Sequence, residues 1–121
     1  MILLSGKSNL PVGFIYNNIL ASKEGLVIGV VLGHCVFGPQ GKPVAKYFRQ
    51  TLFALDGKIL AKSLEGYQLF KVSADKLVRD AWQFISLIRD HSCPFINPTN
   101  DWSATPFLSY FNIEVSVDCK L

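Results

Sequence analysis

Glycine, aliphatic and very small residues return at one fixed interval along the first 72 positions. Gly25, Gly41 and Gly57 lie sixteen residues apart, each behind a polar residue: Glu24, Gln40 and Asp56. The same interval joins Val12, Ile28, Val44 and Leu60, all aliphatic, and Gly13, Gly29, Ala45 and Ala61, the smallest side chains. Leu20, Val36 and Leu52 form another column, and Phe37 aligns with Phe53. Asn9 extends the glycine column backwards, and Asn is the non-glycine residue most at home in the left-handed region. Each unit holds a second turn signal, read at Asn17-Asn18, Gly33-His34, Arg49-Gln50 and Glu65-Gly66, the third being weak. Short β-prone runs separated by turns of this kind predict hairpins, and hence an antiparallel meander of about nine strands over residues 2–72. A buried helix over 26–38 is excluded by the repeated cost of Gly29, Gly33 and Gly38.

The small-residue column has a geometric meaning. Alternate strand residues share a face, so Gly13 points away from Val12 and Phe14. Four units presenting Gly or Ala at one site predict strands crowding about a common axis, in a closed or radial arrangement with pseudo-fourfold symmetry. The other reading places each small residue beneath a flanking helix. The recurring phrases Gly41 to Lys46 (GKPVAK) and Asp56 to Lys62 (DGKILAK) resemble the four-fold β-flower group of small bacterial proteins. The resemblance covers about residues 9–72 and implies a fold; it carries no activity, cofactor or site residue with it.

The sixteen-residue register stops after Val72. Ser73 is placed to cap a helix, with Asp75 in its first turn. Leu77, Ala81, Phe84, Ile85 and Ile88 recur at helical spacing, predicting an amphipathic helix from Ala74 to Asp90 that ends before Cys93-Pro94. Residues 97–106 read as a polar loop holding Asp101 and Trp102. Phe107 to Val117 alternates, predicting a long C-terminal strand with little protection against edge pairing, and thus a homodimer through it or a completed intrachain sheet. The fold class is therefore α+β in a single domain, residues 1–121, with the helix and strand of 73–121 packed on the repeat of 1–72.

The chain has 121 residues, half of them apolar and 17% charged, enough to bury one core and too apolar for a disordered chain. Three scattered cysteines (Cys35, Cys93, Cys119) form no disulfide framework, so a reducing, cytoplasmic setting is expected. The apolar run Leu26 to Phe37 is too short for a membrane helix, and no export signal follows Met1. His34-Cys35 and His91-x-Cys93 lack the paired spacing of a zinc site, and no catalytic, cofactor or metal-binding motif is present. Charge is uneven: residues 1–72 carry eight basic against three acidic side chains, and residues 73–121 four against six. Lys42 and Lys58 share one column, Lys46 and Lys62 another, so a basic ring is conceivable, with Tyr47 and Phe48 as interleaved aromatics.

The leading functional reading is a non-enzymatic protein-interaction or scaffold domain. The alternative is a nucleic-acid or anionic-ligand module using Lys42, Lys46, Lys58 and Lys62. A small enzyme around His91, Cys93 and the 97–106 loop is the least supported, with Asp101 and Trp102 at the lip of any pocket.

Overall fold

The computed structural model describes residues 1–64 and 73–111. Eight strands run antiparallel in chain order: β1 (Ile2–Ser5), β2 (Pro11–Tyr16), β3 (Ile19–Ser22), β4 (Val27–Leu32), β5 (Cys35–Phe37), β6 (Pro43–Phe48), β7 (Thr51–Ala54) and β8 (Ile59–Ser63). Each pairs with the next, and β1 pairs with β8 through Leu4–Ser63 and Ser5–Lys62, closing a barrel. The ninth predicted strand, Tyr67 to Lys71, and the Glu65-Gly66 turn lie outside the described residues.

Turn chemistry builds the meander as read. Asn9, Gly25, Gly41 and Gly57 all have positive φ, between 64° and 91°. At each, the amide donates three residues back, as in Gly57 N–H to the Ala54 carbonyl, and the Ala54 amide in turn donates to the Lys58 carbonyl. This is a tight turn closed by a left-handed residue, the usual three-residue hairpin loop. The opposite turns at Asn17-Asn18 and Arg49-Gln50 have positive φ at both central residues, the signature of a two-residue hairpin turn. Arg49-Gln50, weak in sequence, adopts the same turn as Asn17-Asn18 because the flanking strands impose their twist.

The interior explains the small-residue column. Leu4, Leu20, Val36 and Leu52 are wholly buried. Each faces a small residue on the next strand: Leu4 opposite Gly13, Leu20 opposite Gly29, Val36 opposite Ala45 and Leu52 opposite Ala61. Eight strands enclose a bore only wide enough for side chains to fill, so large and small must alternate. A Cβ on Gly29 would press on Val36 and approach Leu20. The small residues thus make room inside the bore and do not lie beneath the helix.

Outward-facing residues form a second layer. Helix α1 (Ala74–Ile85) begins as predicted, with the Lys76 amide donating to the Ser73 hydroxyl. It lies on β4 and the edge of β3, burying Leu77 and Ala81 against Phe14, Val30 and Phe37, with Phe84, Ile85 and Ile88 packed around them. The helix stops at Ile85, five residues before the predicted Asp90: the Leu87 and Ile88 amides bond three residues back. Cys93 is disulfide-bonded to Cys35 on β5, 58 residues away in sequence. That link corrects the expectation of free cysteines, and a loop of this size makes it worth about 2–4 kcal/mol.

The predicted long strand is also corrected at its start. Residues Phe107–Tyr110 form a short helix, α2, opened by Pro106. Phe107 and Phe111 stand four apart, a spacing that fits one helical turn as well as two strand steps. Both are buried with the interior cluster, where Phe107 approaches Gly13. These residues fill the barrel mouth as a helical turn in place of the first part of the predicted strand; residues 112–117, and with them the rest of the pairing expected there, lie outside the described ones. The Tyr110 hydroxyl donates to the Val44 carbonyl and accepts from the Leu55 amide.

Two outcomes are expected. Gly57 combines a φ of 87° with the Asn97 carbonyl lying where a Cβ would sit, whereas Gly33 at 63° faces open space. Gly57→Ala should therefore cost about 2 kcal/mol or more, and Gly33→Asn under about 1 kcal/mol, read from denaturant midpoints. Burial, and more weakly Asp56, raises the Tyr110 pKa above its ordinary 10.0 against the opposing effect of the Leu55 hydrogen bond. An acid with a raised folded pKa gives stability that is present below the unfolded value and lost as pH climbs past it. Tyr110→Phe should flatten this alkaline loss in melting scans from pH 8 upward, without abolishing it, because burial raises Tyr47 as well.

Candidate functional site

The outer column Phe14, Val30, Lys46, Lys62 changes character around the barrel. Phe14 and Val30 are buried beneath α1, while Lys46 is half-exposed and Lys62 exposed on strands that no helix among the described residues covers. The same position is apolar under the helix and cationic in water, as burial energetics require. On β6 and β7, Phe48 and Phe53 meet with ring centroids 5.0 Å apart, and Arg49 stands 5.8 Å over the Phe48 ring.

Trp102 joins this face through a backbone graft. β1 reaches β8 only at Lys62 and Ser63, leaving the Ile59 amide and carbonyl without a partner strand. The Ile59 amide donates to the Asp101 carbonyl and the Ser103 amide donates to the Ile59 carbonyl, both at 2.8 Å. The Thr99 amide and hydroxyl both donate to the Gly57 carbonyl. The loop is thus pinned along the seam, and Ile96 packs with Phe53 and Ile59 beside Trp102. Lys62 Nζ lies 5.8 Å over the indole. Next to it opens a cleft of about 350 Å³, floored by Val12, Leu60 and Phe107 and rimmed by Lys7, Ser8 and Ser103.

Lys62, Asp101 and Trp102 therefore come together at the seam, and Lys46 shares the same outer sheet. Lys58 sits on the turn before β8, its amide held by the Asp56 carboxylate. Lys42 rims separate clefts, one beside Tyr110 and one beside Leu87. His91 lies elsewhere, its ring edge-on to Phe37 at 6.1 Å. Its neighbour Asp90, fully exposed, has a carboxyl held below the usual range by hydrogen bonds from Ser92. Cys93 is bonded to Cys35 and so offers no thiolate for the enzyme reading. The lysines form no ring: two are on one outer face and two on turns.

Tyr47 points inward, into the Leu52 cluster, so of the two aromatics singled out only Phe48 reaches the face. Arg49, Phe53 and Lys7 were missed. Arg49 stood in a turn column, and Phe53 in the column of Phe37, which belongs to the helix-covered layer. Among the described residues no three His, Cys, Asp or Glu side chains cluster as metal ligands would, and no helix is long and apolar enough to cross a membrane. No family model, curated protein or solved structure matches the chain.

The seam graft carries its own test. In native-state hydrogen exchange, the Thr99 and Ser103 amides should be protected well above those of Asn100 and Ala104, because only the former are bonded to the barrel. Equal, rapid exchange at all four would show that the loop does not ride on β8.

Proposed function

We propose that this chain is a non-catalytic binding module for anionic polymers, with its working surface on β6–β8 and the Trp102 loop. The barrel would act as a four-fold hairpin scaffold of the kind that the β-flower resemblance implies. Supporting that reading, strand bulges recur between Leu4 and Ser5, Leu20 and Ala21, Val36 and Phe37, and Leu52 and Phe53. A rigid closed sheet supplies a scaffold, and the face supplies the binding, so both sequence readings describe one molecule.

One observation carries the proposal: Lys62 over Trp102 and Arg49 over Phe48, with Lys46 two residues before Phe48 on the same outer face of β6. Clustered cations raise the local concentration of a polyanion and steer its approach. With two of the three cysteines bonded to each other, the cysteine pattern no longer argues for a reducing compartment.

Heparin and polyphosphate titrations test it. The wild type should bind either with an affinity that falls steeply with salt, and a Lys46→Gln, Arg49→Gln, Lys62→Gln variant should lose about tenfold or more at low salt. A wild type indifferent to both polymers and to nucleic acid would overturn the proposal.

A further inference from the structure

A generic polyanion needs cations and nothing more, yet this face offers flat apolar rings as well. Phe48 and Trp102 are both half-exposed, and each has a cation over its ring. The outer residues Phe48, Thr51 and Lys62 lie opposite one another on three adjacent strands. At a strand spacing of ~4.8 Å, ring and cation are therefore about 10 Å apart across the sheet. Trp102 lies beyond Lys62, and beyond Trp102 opens the seam cleft of about 350 Å³. That cleft has an apolar floor, an indole wall and a rim carrying Lys7 and Ser8.

We infer that the ligand of this face is single-stranded nucleic acid. Unpaired bases stack on Phe48 and on the Trp102 indole, while their phosphates lie against Lys46, Arg49 and Lys62. One base enters the seam cleft over Leu60 and Phe107, with its phosphate toward Lys7. Stacking of this kind tolerates any base, because every base has a π-face. A duplex keeps its bases paired and stacked, so it reaches the cations but not the rings. Asp101, exposed beside Trp102, places a negative charge next to the stacking ring, and Asp101→Asn should tighten binding modestly.

The inference rests on the polyanion reading, and the experiment separates the two. A fluorescently labelled oligothymidylate is titrated by anisotropy beside the duplex of the same length and beside heparin. The single strand should bind about tenfold tighter than either competitor, and Trp102→Leu and Phe48→Leu should each lose about tenfold. Trp102→Phe, which keeps a stacking ring, should retain most of the affinity, and all three variants are compared at matched melting temperature. Binding should quench indole emission in the wild type and in Trp82→Leu but not in Trp102→Leu. Four phosphate contacts predict a log–log salt slope of about −3, shallower by about 0.7 in Lys62→Gln. Equal affinity for duplex and heparin, unmoved by the two leucine variants, would overturn this inference and leave the polyanion reading standing. Failure to bind any of the three would overturn both.

Discussion

The fold turns on how little room there is inside eight strands. At one level of the bore, Leu4, Leu20, Val36 and Leu52 are wholly buried, and each lies opposite Gly13, Gly29, Ala45 or Ala61. Enlarging a small member forces its neighbours off their rotamers, and shrinking a large one opens a cavity. Neither column can change without the other, so the interval that places them also sets strand length and turn position. The bulges beside Leu4, Leu20, Val36 and Leu52 belong to the same constraint, because a bulge bends a strand and so lets the sheet curl into closure.

With the bore filled by its own side chains, binding has to be built on the outside. The outer wall divides by what covers it. Under α1 the columns hold Phe14 and Val30; away from α1 they hold Lys46 and Lys62. Residues 86–96 extend the covering only as far as the Cys35–Cys93 bond and Ile96 take them. The disulfide ties the post-helical chain to β5, from which it crosses to the seam and delivers Trp102 to β8.

Local chemistry was legible in the sequence, and through-space chemistry was not. The left-handed turns at Asn9, Gly25, Gly41 and Gly57, the small-residue column and the Ser73 cap all depend on a few neighbouring residues, and each was found where expected. The helix end, the Phe107–Tyr110 helix and the Cys35–Cys93 bond depend on partners far along the chain, as with Cys93 and Cys35, 58 residues apart, and Tyr110 and Val44, 66 apart. Phe107 and Phe111 satisfy strand and helix spacing alike, so only the barrel mouth that receives them decides between the two. The site was legible in pieces. Lys62 emerged from a column and Trp102 from a loop, but nothing in the order of residues 59–103 pairs Ile59 with that loop.

A closed barrel abolishes free sheet edges, which protects it from edge-to-edge aggregation and equally denies it strand addition as a mode of recognition. The one relaxation of that closure is the seam. There β1 pairs with β8 at two residues, while β6 pairs with β7 at four. Backbone groups freed at Ile59 are taken by the chain's own loop at Asp101 and Ser103, so Ile59 offers no free backbone groups to another strand. The same graft leaves a cleft walled by an aromatic ring with a lysine above it. Closing the barrel imperfectly at this point, and sealing it with a loop in place of a strand, converts a liability of β-structure into a concave surface. A barrel sealed there by full-length strand pairing would have no such cleft beside Trp102.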